Sequence, residues 1–104
     1  MAKYDVVMTA PTVKDMQGIV DYIANDLREP VTAKRQLERI RDVVLSLADF
    51  PTRYALVADE VLAAKGYRKI VVDNYIILYI TSNTKEIVTV VRVIDSRRDW
   101  LIIL

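Results

Sequence analysis

The hydrophobic period of the chain changes once along its length, and that change limits the folds open to it. In the first half, apolar residues return every three or four positions. One set is Val13, Met16, Val20, Ile23 and Leu27, and the next is Ala33, Leu37, Ile40, Val44 and Leu47. Each is a single stripe down an amphipathic helix. Arg28-Glu29-Pro30 stands between them, and Pro30 cannot continue a helical ladder. In the second half the pattern turns to β-branched and aromatic runs: Tyr67 to Val72, Tyr75 to Thr81, and Glu86 to Ile94. Asp73-Asn74 and Ser82-Asn83-Thr84-Lys85 separate these runs as tight turns.

Smaller signals fill in the rest. Tyr4 to Thr9 alternates and predicts a short first strand. Thr12, with Asp15 three positions later, predicts the start of the first helix. The second helix is expected from about Val31 and must stop before Pro51, which disfavours helical geometry at Phe50. Tyr54 to Lys65 predicts a loop with one helical turn near Glu60 to Ala64, ended by Gly66 in a left-handed cap. The layout is β-α-α-β-β-β. It predicts an α+β fold, an antiparallel sheet with a helical hairpin packed on one face, as one domain over residues 1–104. The ending Leu101-Ile102-Ile103-Leu104 is too apolar for a free tail and is expected to dock on the core or on a partner.

Composition removes several kinds of chemistry. There is no cysteine, hence no disulfide framework and no thiolate metal site. There is no histidine, hence no common general base and no usual partner for a nucleophilic serine. With only Gly18 and Gly66, no glycine-rich phosphate loop is possible. No cofactor or metal is expected. No run approaches the roughly 18 apolar residues of a membrane helix, and the expected setting is cytoplasmic. Net charge is +1, but Met1 to Val61 holds 8 Lys/Arg against 10 Asp/Glu, and the remainder holds 7 against 4. The basic half ends in Arg92-Val93-Ile94-Asp95-Ser96-Arg97-Arg98-Asp99-Trp100. Alternation places Arg92 on one strand face with Val88, Val90 and Ile94, where it must pair, reach the sheet edge or meet a partner. Asp95, Asp99 and Asp73 are its expected partners, and Arg68, Arg92, Arg97 and Arg98 are expected to converge at one end of the sheet. Tyr4, Tyr22, Phe50 and Tyr54 read as packing residues.

Four stretches in order carry a family resemblance: YDVVMTAPTVKDMQGIVDYIA, LADFP, AAKGYRKIVVDNYIILY and VRVIDSRRDW. Together they span nearly the whole chain, and it resembles the RelE/ParE superfamily of toxins from bacterial type II toxin–antitoxin modules. The resemblance implies a cognate antitoxin whose C-terminal segment wraps the helical hairpin and sheet, in a hetero-oligomer. It implies one of two targets. ParE-like members inhibit DNA gyrase without cutting RNA, and that reading leads here. RelE-like members cut messenger RNA on the ribosome without a metal, which requires activation of the 2′-oxygen, a clamp on the phosphorane and protonation of the leaving oxygen. Under that alternative Arg68, Lys69, Arg97 and Arg98 are the catalytic candidates, with Tyr67, Tyr75 or Tyr79 as the phenol. The chain departs from the RelE-like pattern at Ile76, where those toxins carry arginine, and at Asp95, where related chains show His or Tyr. A third reading is an inactive toxin kept as a co-repressor. Partner-binding candidates are Lys65, Arg68, Arg92, Arg97, Arg98 and Trp100.

Overall fold

The computed structural model describes residues 3–103. Strand β1 (Asp5–Met8) leads into helix α1 (Ala10–Asp21), a π-helical turn (Tyr22–Asp26) and helix α2 (Pro30–Ser46). The short helix α3 (Glu60–Ala64) precedes strands β2 (Arg68–Val72), β3 (Tyr75–Ser82) and β4 (Ile87–Asp95), and helix α4 (Trp100–Ile103) follows. The last three strands form the expected antiparallel meander, in the sheet order β1-β4-β3-β2. β1 pairs with β4 in parallel, from Asp5 opposite Ile87 to Met8 opposite Val90, so the sheet is mixed. The whole chain between these strands serves as the long crossover that parallel pairing requires. No helix among the described residues is long and apolar enough to cross a membrane.

Helix α1 begins earlier than the Thr12–Asp15 spacing predicts. Thr9 is its N-cap, with Oγ1 accepting the Thr12 backbone N–H at 3.2 Å. Pro11 is harmless in the first turn, where its missing N–H has no partner to lose. At the far end the Leu27 N–H reaches back to the Tyr22 carbonyl (3.1 Å), a five-residue step that widens the last turn. Arg28 then takes a positive φ of 54° and reverses the chain. Pro30 opens α2, and the Thr32 hydroxyl donates to the Glu29 carboxylate at 2.9 Å. Gly66 takes φ +89°, the left-handed value expected of it.

Helices α1 and α2 cover one face of the sheet. Met16, Ile40, Val44 and Leu47 meet Ile70, Val72, Ile77, Tyr79, Val88 and Val90 there. Truncating a fully buried member such as Ile40 to alanine would cost roughly 2–5 kcal/mol. The opposite face is covered too: Val57, Leu62, Ala63, Tyr67 and Trp100 pack on Ile76, Leu78 and Ile94. β3 is therefore buried on both sides, which is why Tyr75 to Tyr79 reads as a continuous apolar run rather than an alternating one. Leu101 is half exposed. How the side chains of Ile102, Ile103 and Leu104 dock lies outside the described residues.

The apolar stripe of α1 divides in two. Met16 and Ile23 are buried with Ile19 packed beside them, whereas Val13 and Leu27 are about half exposed and Val20 is only partly covered. A helix lying at the margin of a sheet turns one row inward and leaves the neighbouring row on the open side.

Candidate functional site

β1 is only four residues long and covers β4 from Ile87 to Val90. Beyond it, the first turns of α1 take the place of a strand. The Thr12 hydroxyl, fully buried, donates to the Val90 carbonyl at 2.8 Å, and the Thr9 hydroxyl donates to the Val91 carbonyl at 2.9 Å. The Asp15 carboxylate accepts the Val93 N–H at 3.0 Å. A spacing of three residues puts Thr9, Thr12 and Asp15 along one side of α1. Sequence reasoning took this spacing for a helix start alone; its repetition is the signal that α1 contacts a strand edge.

Asp15 also holds Arg92. The guanidinium donates from Nε at 2.7 Å and from Nη2 at 2.8 Å, a two-pronged pair with 21% and 15% of the two side chains exposed. Donation to the Asp15 carboxylate raises the Arg92 pKa. Asp95, Asp99 and Asp73, the expected partners, are not the residues used; Asp73 instead holds Arg39 at 2.8 Å. Asp15 is held at the β4 edge by the Val93 N–H, within reach of Arg92, while Asp95 is taken by Arg97. The strand also carries a β-bulge. Leu78 stands opposite Arg92 and Tyr79 opposite Val90, leaving Val91 as the extra residue. Strict alternation therefore fails: Val88 and Val90 enter the helical core while Ile94 enters the other.

Past the end of β4 a second pair forms in solvent. Arg97 donates to Asp95 from Nε at 3.0 Å, from Nη2 at 2.6 Å and from its backbone N–H at 2.9 Å. The Arg97 side-chain and backbone bonds, in that order, hold the Asp95 carboxyl down at about 2. The Arg98 N–H bonds the Asp95 carbonyl at 3.0 Å, and its side chain makes no ion pair among the described residues. Arg92, Arg97 and Arg98 line one cleft of about 350 Å³ between α1 and the end of β4, together with Lys14, Tyr22 and Tyr75. Burial first and Asp95 second raise the Tyr75 pKa, so that phenol stays protonated at neutral pH.

Arg68 stands apart from this cleft. It opens β2 opposite Tyr79, whereas Asp95 stands opposite Tyr75. Four residues along β3 at ~3.3 Å each and two strand spacings of ~4.8 Å separate the backbones by on the order of 16 Å. The Arg68 Nη1 donates to the Tyr54 carbonyl at 2.6 Å. The four arginines thus do not converge: three share a cleft, and the fourth secures a loop. Lys69 stands opposite Leu78 on the other sheet face, with its ammonium 6.0 Å from the centre of the Trp100 ring. Trp100 is itself partly buried, and Lys65 is exposed at the end of α3. Tyr79 is fully buried, and its hydroxyl has no hydrogen-bond partner among the described residues. Burial raises its pKa.

Across α1 from the cleft lies an apolar groove of about 410 Å³. Met8, Val13, Met16, Val20 and Leu37 line it, with Asp21 and Arg41 at its rim. β1 forms its border and is an edge strand. The N–H groups of Asp5 and Thr9 turn toward β4 (2.9 and 3.1 Å), so those of Val6 and Met8 face the open side. Val13, Met16 and Val20 of the α1 stripe and Leu37 of the α2 stripe thus supply this groove. Tyr22 and Phe50, read as packing residues, are 46% and 60% exposed, and Tyr22 borders the cleft.

Comparison with known proteins agrees with this architecture. A family model described as "ParE toxin of type II toxin-antitoxin system, parDE" matches residues 6–100. No curated protein sequence matches. Among solved structures, the chromosomal ParDE toxin–antitoxin system of P. aeruginosa superposes with a TM-score of 0.73 at 17% identity, over 89% of this chain and 96% of that one. The RelBE2 toxin–antitoxin complex of Mycobacterium tuberculosis gives 0.67 at 20% identity, over 91% and 93%. The intact E. coli RelBE toxin–antitoxin complex gives 0.61 at 15%, over 91% and 99%. At these identities the structures speak for the fold, and the family model covers nearly the whole chain. The chain belongs to the ParE toxin family of type II toxin–antitoxin systems, within the RelE/ParE superfamily.

Proposed function

We infer that the chain is a growth inhibitor that acts by binding DNA gyrase, and that a cognate antitoxin neutralises it by occupying the apolar groove and the β1 edge. The observation that carries the target is the dispersal of the residues RNA cleavage would need. Arg68 is tied to the Tyr54 carbonyl, Lys69 lies against Trp100, and Arg97 and Arg98 stand elsewhere. Ile76 is buried, at the position where the resemblance places an arginine in RelE-like toxins. Tyr75 and Tyr79 have raised pKa values and are poor bases at neutral pH. Arg97 and Arg98 share a cleft, but Arg68 and Lys69 lie away from it, so the four candidate groups do not act together on one phosphorane. A protein-binding mode needs only a surface, and the basic cleft with Arg97, Arg98 and Lys14 supplies one.

The antitoxin site rests on shape and chemistry. An apolar groove beside an unpaired strand edge accepts a segment that is helical in one part and extended in the next. The test is to add the purified chain to a gyrase supercoiling reaction and, in parallel, to ribosomes translating a defined messenger RNA. Supercoiling is expected to stop and the message to stay whole. Cleavage within codons, with supercoiling intact, would replace this reading by the nuclease one. Absence of growth arrest on induction of the chain alone would favour a co-repressor.

A further inference from the structure

The cleft between α1 and the end of β4 has a property that charge alone does not give it. β1 stops opposite Val90, so the remainder of β4 has no strand on that side. Val93 turns its N–H outward to Asp15 (3.0 Å), and Ser96 turns its N–H inward to the Asn74 carbonyl (2.8 Å). Alternation along the strand then sets the Val93 carbonyl and the Asp95 N–H outward, into the same cleft. The Asp95 carbonyl is already taken by Arg98. Among the described residues one free acceptor and one free donor remain, two residues apart, the spacing at which an added extended chain makes its bonds. Facing them, Gly18 lowers the wall of α1, and a Cβ built there meets nothing within 4 Å.

The charges around this edge are unbalanced. Asp15 and Asp95 are each engaged by an arginine. Lys14 and Arg98 make no ion pair among the described residues and border the cleft. We propose that this cleft binds an extended acidic segment of the target protein, which adds to β4 beside Ile94 and sets its carboxylates against Lys14 and Arg98. The idea rests on the reading of this end as a target-binding surface and is separate from the groove given to the antitoxin. A strand edge supplies sequence-independent backbone bonds, and the two free cations select acidic side chains.

The probe is a fluorescein-labelled nine-residue peptide alternating valine with glutamate, titrated against the folded chain by anisotropy. Binding is expected, and a peptide alternating valine with lysine should not bind. Gly18→Leu suits a helix better than glycine and fills the cleft; it should weaken binding at least tenfold, as should Lys14→Glu combined with Arg98→Glu. Val13→Asp, in the groove, should leave peptide binding unchanged. On adding the peptide, amide exchange at Asp95 should slow at least tenfold. Binding that survives Gly18→Leu, is lost in Val13→Asp, or yields to an RNA oligomer at lower concentration than the peptide itself overturns the proposal. Antitoxin binding, measured on each variant, separates the two sites. If Val13→Asp abolishes it and Gly18→Leu does not, the groove reading stands whatever the peptide does.

Discussion

The two arginine–aspartate pairs near the end of β4 look alike in the plane of their contacts and should behave differently when broken. Arg92 and Asp15 are largely out of water, and Asp15 also satisfies the Val93 N–H. In Arg92→Ala the carboxylate stays in place with one backbone donor and little solvent. Breaking a buried pair this way costs about 3–5 kcal/mol, and the residual exposure of both partners moves the expectation to the lower end, about 3 kcal/mol. At a urea m-value of about 1.5 kcal/mol/M the midpoint should fall by about 2 M. Arg97 is different, because three quarters of its side chain is in solvent. Exposed pairs contribute little, and Arg97→Ala should move the midpoint far less than Arg92→Ala does. The assay is equilibrium urea unfolding of the wild type, each single variant, Asp15→Ala, Asp95→Ala and the two doubles. The first cycle should show strong coupling and the second weak coupling. Equal shifts for Arg92→Ala and Arg97→Ala would refute the assignment of one arginine to the fold and the other to the surface.

Other outcomes follow from the same coordinates. Tyr79→Phe removes a buried hydroxyl without a partner among the described residues and should be neutral or stabilising by up to about 1 kcal/mol, read by thermal unfolding; a loss of more than that would show the hydroxyl to be bonded. The Asp95 carboxyl, held near 2, is depressed relative to the unfolded chain. Its pair therefore contributes fully above about pH 4 and fades as pH falls toward 2, which carboxyl-carbon NMR titration checks; a midpoint near 4 would contradict the Arg97 contacts. Val13→Asp sets a charge into the groove at a half-exposed position. It should abolish antitoxin capture in a pull-down while the circular dichroism spectrum is kept, and retained capture would move the antitoxin elsewhere. Gly66→Ala forces a Cβ into φ +89° and should cost about 1 kcal/mol in urea unfolding.

Much of the fold was legible because its signals are local. The stripe from Ala33 to Leu47, the turns at Asp73-Asn74 and Ser82-Lys85, and the cap at Gly66 are each decided within a few residues. What escaped is decided by distant parts of the chain. Nothing in Tyr4 to Thr9 says that this strand will lie parallel to β4, some 82 residues on. The bulge at Val91 is equally silent, because Val90 and Val91 are identical apolar residues and either fits either face of the sheet. That one extra residue sends Val88 and Val90 to one face and Ile94 to the other. The stripe of α1 gives no sign that Val13 and Leu27 stay half exposed beside buried Met16 and Ile23, because hydrophobicity marks a preference for burial without saying by what. As for the arginines, Arg97 and Arg98 were placed near each other by sequence proximity, while the distance to Arg68 depends on sheet order.

The parallel pairing of β1 with β4 has a consequence for synthesis. Met8 forms the border of the apolar groove, and β1 is positioned by a strand that ends at Asp95. A chain leaving the ribosome can build its helical hairpin early, because those contacts are near in sequence, but it must wait for its final strand to fix the first. The groove is thus completed only once Ile87 to Val90 has been made, and any neutralising partner that reads its finished shape would recognise chains that carry β4 and pass over shorter ones.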